Sequence, residues 1–212
     1  MQHPILSAAE AKYMRSLTDL CSRLFLNSAI PSHDHIHHSR VWENASVLLD
    51  RMFKTGMVKD PLLAEKAIIA AYFHDTGLTQ NQGTNHGRES RHICSGFLIT
   101  TDLSEEDKEE ILDAVEKHDD KEYHAVSIPT SLAVVISVAD DIDAFGQTGI
   151  ERYSEIYKMR GTSPKELPEK VIANATARFN HLAETYYMFP DIIEEQKARV
   201  EILITYFKNQ KT

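Results

Sequence analysis

The chain has 212 residues, a formal net charge of −9 and 42% hydrophobic residues. This size and composition are typical of a soluble globular domain, and the acidic balance argues against non-specific binding to nucleic acid or to an anionic membrane. The two cysteines, Cys21 and Cys94, stand in no paired motif, which favours reduced thiols in a cytoplasmic protein. Residues 1–10 lack the pattern of a signal peptide, and the longest apolar stretch, 132–139, is far shorter than the ~20 residues of a membrane helix.

Helical periodicity recurs along nearly the whole chain. Ser7 and Glu10 form a capping-box pattern, which predicts that a first helix begins at Ser7 and runs to about residue 27. Ser32 is the predicted N-cap of a second helix, which carries one apolar face and ends near Gly56. A third helix is predicted to begin at Asp60-Pro61, a fourth to cover about 85–100, a fifth to begin at Ser104 and a sixth to follow Pro129-Thr130. Three further helices are predicted at about 150–158, 168–187 and 191–208.

Residues 132–138 are rich in β-branched side chains, and propensity alone favours a strand there. The charged continuation from Asp140 to Phe145 keeps the same helical register, so we predict a helix. The fold class is therefore predicted to be all-α. We expect a single domain with its core at about 30–160 and with the helices of 161–212 packed on that core.

Histidines and aspartates recur at the ends of the buried stripes of five predicted helices. A lone histidine on an apolar face is more often a hydrogen-bonded core residue than a metal ligand. Here the pattern recurs, and carboxylates are costly to bury without a partner, so a shared cation is indicated. The residues at the stripe ends are His37, His74, Asp75, His86, His118 and Asp140.

The chemistry of these side chains narrows the kind of cation. Imidazole and carboxylate ligands without thiolate suit Mn, Fe, Co, Ni, Zn or Mg rather than a closed structural zinc site. An octahedral ion would keep positions for water and for a substrate oxygen, which is typical of a catalytic site. The set that would supply two nitrogens and two oxygens is His37, His74, Asp75 and Asp140.

This ordered set resembles the HD-domain superfamily of metal-dependent phosphohydrolases. The likeness rests on residues 33–41 around the first histidine, on AYFHDTG at 71–77 and on SVADDIDAFG at 137–146. It covers roughly residues 32–160 and implies a helical bundle with the metal site between helices. Residues 148–152 are similar to a bacterial branch of small HD proteins that includes nucleoside triphosphate pyrophosphohydrolases.

The resemblance also implies roles for single residues. His86 and His118 fall where two-metal members have further ligands and where one-metal members have histidines that face the substrate. Because this chain has His118-Asp119 where two-metal relatives have paired histidines, one divalent ion per chain is favoured, with Asp119 as an alternative ligand. His86 and His118 would then contact the phosphate or the leaving group. The implied metal ligands are His37, His74, Asp75 and Asp140.

The implied reaction is hydrolysis of a nucleotide or another small phosphate ester. The metal would lower the pKa of a water, and Asp75 would be both ligand and catalytic proton acceptor. His33 could orient a ligand, whereas His35 and His38 are expected to face away from the His37 stripe and receive no role. Developing negative charge needs cations. The candidate cations, each of which alone is more often a solvated surface residue, are Arg40, Arg88, Lys117 and Arg152, beside His86 and His118.

The sequence is also compatible with two functions other than phosphohydrolysis. A di-iron oxygenase of the HD fold needs a complete second ligand set, which the His118-Asp119 sequence weakens. A non-catalytic nucleotide-sensing module would have an eroded ligand set, and this one is intact. For the phosphohydrolase the expected partner is a small phosphorylated substrate, with no nucleic acid and no membrane, and a homodimer is compatible with the sequence.

Overall fold

The computed structural model of the chain describes residues 1–26, 34–80, 86–118 and 128–210. Across these ranges the regular elements are nine α-helices and a 3-10 helix at Thr76–Thr79, without a strand, which confirms the all-α class. None of the helices in these ranges combines the length and the hydrophobicity that crossing a bilayer requires. The α-helices are α1 (Pro4–Leu24), α2 (His35–Thr55), α3 (Leu62–Phe73), α4 (His86–Leu98), α5 (Glu105–Lys117), α6 (Leu132–Asp143), α7 (Gly146–Met159), α8 (Leu167–Thr185) and α9 (Pro190–Asn209).

The chain divides into two compact units, Met1–Ala139 and Asp140–Thr212. The division falls inside α6, whereas the core predicted from the sequence extends to about residue 160. The arrangement of a core at 30–160 with the C-terminal helices packed on it stays a prediction.

Helix α3 is the centre of the first unit and packs against α1, α2 and α5. Its sequence is apolar on nearly every side, and Ile68 and Ile69 are fully buried. A helix of this kind is stable only where other elements cover it all round. Its buried Lys66 reaches α5, where Nζ lies 2.6 Å from Oε2 of Glu110. Helix α3 therefore carries its C-terminal end, and the residues that follow, into the interior of the first unit.

Local capping fixes where α2 and α5 begin. Oδ1 of Asp34 accepts a hydrogen bond from the backbone N–H of His37 at 3.0 Å, so Asp34 is the N-cap of α2. The predicted cap Ser32 lies outside the described residues. Ser104 caps α5 as predicted, because its hydroxyl accepts from the N–H of Asp107 at 3.1 Å.

Helix α1 begins earlier than the sequence suggested. It starts at Pro4, and Nδ1 of the preceding His3 accepts from the N–H of Ile5 at 3.4 Å. The prediction of a start at Ser7 was wrong, since Ser7 lies within the helix. Proline is well suited to the first helical turn because the missing N–H would have no helical acceptor there.

The second unit contains the last turn of α6 together with α7, α8 and α9. Helix α9 packs against both α7 and α8. Apolar side chains from these helices form one cluster, and burying each large one contributes about 1.5–3 kcal/mol. The buried members of this cluster are Ala144, Ile150, Tyr153, Val171, Ala175, Leu203 and Phe207.

Candidate metal centre

Four histidines surround one carboxylate in the first unit, and each comes from the end of a helix. His37 lies in the first turn of α2, His74 caps the end of α3, and His118 caps the end of α5. His86 is the first residue of α4, and Asp75 follows His74 directly. His37 and His74 are fully buried, and Asp75 and His118 are nearly so. Helix termini thus gather polar side chains inside an otherwise apolar unit.

The two oxygens of Asp75 divide the histidines into two pairs. Oδ2 lies 3.4 Å from Nε2 of His37 and 3.5 Å from Nε2 of His74. Oδ1 lies 3.0 Å from Nε2 of His118 and 3.4 Å from Nε2 of His86. The Nε2 atoms of His37 and His74 are 3.1 Å apart, close to the ~3.0 Å between neighbouring nitrogens on an octahedral ion with bonds of about 2.1 Å.

Backbone carbonyls fix the ring tautomer of two of these histidines. Nδ1 of His74 lies 2.8 Å from the carbonyl oxygen of Ala71, and Nδ1 of His118 lies 2.8 Å from that of Val115. Because a carbonyl oxygen can only accept, each Nδ1 carries the ring proton. The neutral ring then presents the lone pair of Nε2 toward Asp75, which is the form of imidazole that binds metal ions.

This donor set fits a divalent cation. One ligand atom from each of His74, Asp75 and His118 lies within 4.8 Å of the other two, and all three residues are buried. Lone pairs that converge on a carboxylate away from water repel one another unless a proton or a cation lies between them. Imidazole nitrogens and carboxylate oxygens are the ligands expected for the transition metals predicted from the sequence.

Asp75 is ionised in this environment. Burial raises the pKa of its carboxyl, but when the rings also carry a proton on Nε2, the charge of His74 and the hydrogen bonds from His118 and the other imidazoles outweigh burial and hold this pKa well below its usual range. A buried carboxylate between imidazoles supplies the negative charge that a divalent ion requires.

His38 belongs to the same group of side chains, and the expectation that it faces away from the His37 stripe was wrong. Its ring is fully buried, with its centroid 4.9 Å from that of His74 and 5.4 Å from that of His37. Its Nδ1 lies 3.3 Å from the carbonyl oxygen of Ala71, the acceptor that also serves His74. Burial, with the nearby histidine charges, lowers the pKa of His38 well below its ordinary value. The apolar Trp42, four residues after His38, was the signal in the sequence that His38 is buried. Helix α2 buries two adjacent positions in each turn, so His38 and Trp42 lie beside His37 and Val41.

Two glycines allow α4 to approach the helix ends that carry the histidines. A Cβ on Gly77 would lie 2.1 Å from the carbonyl oxygen of His86. A Cβ on Gly87 would lie 2.3 Å from the carbonyl oxygen of Glu116 in α5. This close packing holds the rings of His86 and His118 at a centroid distance of 5.3 Å.

The predicted phosphate contacts of the first unit differ in exposure. Arg40 is half-buried on α2, and Arg88 is exposed on α4. Lys117 is exposed on α5, where its Nζ lies 2.8 Å from Oδ2 of Asp113. Substrate contact by these side chains stays a prediction. The sites proposed for His33 and Asp119 lie outside the described residues.

Asp140 and Arg152 lie in the second unit, where a second arginine joins them. Asp140 is buried on α6, with Oδ1 3.6 Å from Nη2 of Arg152 and Oδ2 3.5 Å from Nη1 of Arg178. The ligand role of Asp140 stays a prediction. Arg178 was not predicted from the sequence. Its signal was its place between Ala175 and Leu182 on the buried stripe of α8.

Comparison with protein families adds one match. The family model described as HD domain matches residues 35–144. This range runs from the start of α2 beyond the end of α6 and contains the four predicted metal ligands. No curated protein and no solved structure matches the chain significantly. The match confirms the resemblance to the HD-domain superfamily, whereas the likeness of residues 148–152 to a bacterial branch stays a prediction.

Proposed function

Because the chain belongs to the HD-domain family, most of whose members are metal-dependent hydrolases, we propose that it hydrolyses the phosphate bond of a nucleotide or another small phosphate ester. One observation carries this proposal: the Nε2 atoms of four histidines converge on the two oxygens of Asp75 at 3.0–3.5 Å. A fold alone does not specify an activity, so the chemistry of this group is the stronger support.

The metal would be held by His37, His74 and Asp75, with Asp140 as the predicted fourth ligand and one ion per chain. A divalent ion bound there would lower the pKa of a water and offset the negative charge of a phosphoryl oxygen. Mn, Fe, Co, Ni, Zn and Mg all accept such ligands, so the donor set does not select among them.

Asp75 and His118 would carry the proton transfers. Asp75 would accept the proton of the attacking water and pass it from Oδ1 to Nε2 of His118. His118 already holds a proton on Nδ1, so a second proton on Nε2 makes it an imidazolium, which Oδ1 of Asp75 stabilises at 3.0 Å. From that state His118, with His86 beside it, can donate to the phosphate or to the leaving oxygen. Phosphoryl transfer depends mainly on such positioning and charge.

Arg40, Arg88 and Lys117 are proposed to bind the negative charge of the substrate. Lys117 would have to exchange its contact with Asp113 for the phosphate. Replacing Arg40 or Arg88 with alanine should raise KM about tenfold and leave kcat within about a factor of three, because uniform binding energy is lost.

Metal analysis of the purified protein, followed by a panel of nucleotides and phosphate esters, tests the proposal. Phosphate and pyrophosphate should be detected separately, because the two products distinguish removal of a terminal phosphate from cleavage of a triphosphate. Asp75→Ala should abolish hydrolysis and metal retention. Asp19→Ala is the matched control, since Asp19 is an exposed aspartate on α1 and should be dispensable. An Asp75→Ala protein with full activity would overturn the mechanism.

The same experiment separates the two other functions. Two irons per chain with substrate-dependent oxygen uptake would indicate an oxygenase. Nucleotide binding by the metal-loaded protein without hydrolysis of any panel member would indicate a sensing module.

A further inference from the structure

Two arginines of the second unit, the buried Arg152 and the partly buried Arg178, lie near different oxygens of Asp140, and we propose that they are positioning residues that orient its carboxylate for metal binding. Arg152 comes from α7, and its Nη2 lies 3.6 Å from Oδ1 of Asp140. Arg178 comes from α8, and its Nη1 lies 3.5 Å from Oδ2. This inference rests on the proposed function, in which Asp140 is a metal ligand. It replaces the phosphate-binding role that the sequence suggested for Arg152.

Each arginine also contacts a second aspartate, which lies on α6 with Asp140. Nη1 of Arg152 donates to Oδ2 of Asp143 at 2.8 Å. Nη1 of Arg178 lies 2.9 Å from Oδ1 of Asp141. Both anchoring aspartates are almost completely buried. Arg152 contacts its two carboxylates through different Nη atoms, which fixes the plane of its guanidinium, whereas Arg178 contacts both of its carboxylates through Nη1.

The contacts to Asp143 and Asp141 therefore hold the two guanidiniums in place. The longer contacts to Asp140 then set the direction of its carboxylate. If the arginines served only to neutralise Asp140, their closest contacts would be to Asp140 itself. The observed order of distances is the reverse, with 2.8 and 2.9 Å to the neighbouring aspartates and 3.5 and 3.6 Å to Asp140.

Arg178 is also fixed on its other side. Its Nε donates to Oδ1 of Asn174 at 2.8 Å, and the hydroxyl of Tyr153 donates to the same oxygen at 2.6 Å. Burial raises the pKa of Tyr153 to about 12, so the hydroxyl keeps its proton and remains a donor. Side chains of α7 and α8 thus hold Arg178 in one position beside the end of α6.

Calorimetric titration of Mn²⁺ into the full-length protein, after treatment with EDTA, measures the effect directly. Arg178→Gln should raise the Kd for Mn²⁺ by about 10–100-fold, the usual cost of losing a partner that orients a metal ligand. Arg178→Lys keeps the charge but loses the Nε donor that holds the guanidinium on Asn174, so we expect an increase of about 3–10-fold. Arg199→Gln is the matched control in the same unit, because Arg199 donates to Gln196 and to the carbonyl of Phe145. Its Kd should equal that of the wild type.

A role in folding alone would change thermal unfolding without changing the metal site. The visible absorption spectrum of the Co²⁺-loaded protein reports the ligand geometry, and Arg178→Gln should alter that spectrum while Arg199→Gln should not. If Arg178→Gln fails to fold, as judged by circular dichroism, Arg178→Lys and Tyr153→Phe decide the question. We expect Tyr153→Phe to raise the Kd for Mn²⁺ about twofold to threefold, since only the hydrogen bond from the Tyr153 hydroxyl to Asn174 is lost.

The outcomes separate the two proposals. If Asp140→Asn weakens Mn²⁺ binding and the folded Arg178 variants bind as tightly as the wild type, the positioning role is overturned and the proposed function stands. If the wild-type protein binds no divalent metal, the proposed function fails and the positioning role fails with it.

Discussion

His74 and His118 are held in the same way: in each ring Nδ1 lies 2.8 Å from the carbonyl oxygen of the residue three positions earlier, Ala71 or Val115. Both histidines cap a helix, and the carbonyls of a last helical turn have no partner within the helix. The two rings therefore satisfy the ends of α3 and α5 and direct Nε2 toward Asp75. This equivalence makes His118 as much a part of the site as His74.

Replacing His118 with alanine should lower kcat by about 10²–10⁴-fold, the usual contribution of a positioned acid or base. His92→Ala is the control, because His92 is an exposed histidine on α4 and should leave kcat unchanged. Steady-state kinetics with the substrate found in the panel measures both variants. Equal kcat values for His118→Ala and the wild type would contradict the role assigned to this ring.

Gly87→Ala should destabilise the protein by about 1–3 kcal/mol, because its Cβ would overlap the carbonyl oxygen of Glu116 and force α4 and α5 apart. The same displacement should lower activity by separating His86 from His118. Gly96→Ala, on the same helix, meets no atom within 4 Å and should stabilise by about 0.5–1 kcal/mol. Urea unfolding measures both changes, and a Gly87→Ala protein as stable as Gly96→Ala would show that the two helices do not pack this closely.

Both cysteines should resist thiol reagents in the native protein at pH 8. Cys21 and Cys94 are free and buried, and burial raises the pKa of Cys21 to about 12 and also raises that of Cys94. A colorimetric thiol reagent should detect no thiol in native protein and two in guanidinium chloride. Rapid labelling of one thiol in native protein would contradict the burial of that residue.

The same shifts predict a pH dependence. The folded state keeps the thiol protons to a higher pH than the unfolded state, whose thiols titrate near 9. This contribution to stability is complete below pH 9 and is lost as the pH rises from 9 toward 12. Urea unfolding at pH 8 and at pH 10 should show a lower free energy of unfolding at pH 10. Replacing both cysteines with alanine should reduce that difference.

Metal should stabilise the folded protein by mass action. Free Mn²⁺ at 100 times its Kd adds about 2.7 kcal/mol, which corresponds to a rise in Tm of about 5–11 °C for a chain of this size. His37→Ala should lose most of this shift, while His92→Ala should keep it. Scanning calorimetry with EDTA and with Mn²⁺ gives both values. A shift in His37→Ala as large as that of the wild type would remove His37 from the ligand set.

Local signals in the sequence predicted most of the fold. Ser104 marks the start of α5 and Gly56 the end of α2, where its φ of 73° suits glycine. Helix α6 was correctly preferred over a strand because Asp140 continues the register of the apolar residues before it. The start of α1 was missed because the pattern at Ser7 is also compatible with a position inside a helix.

The candidate site was predictable in its members but not in its geometry. Helical periodicity shows which way a side chain points relative to its own helix, and it found His37, His74, His86 and His118. It does not show that two of these rings face each oxygen of Asp75, since that depends on the packing of different helices. The burial of His38 was not predicted for a related reason. The number of positions that α2 buries in each turn depends on the elements that pack against it.

The carbonyl oxygens of Ala71 and Val115 belong to the main chain, so any residue type at positions 71 and 115 supplies them. The orientation of His74 and His118 is therefore independent of side-chain identity at these two positions, which can be chosen for packing alone. A carboxylate partner would couple each ring to a second residue that mutation could remove. Here a point substitution can change the space around the rings but leaves their acceptors in place.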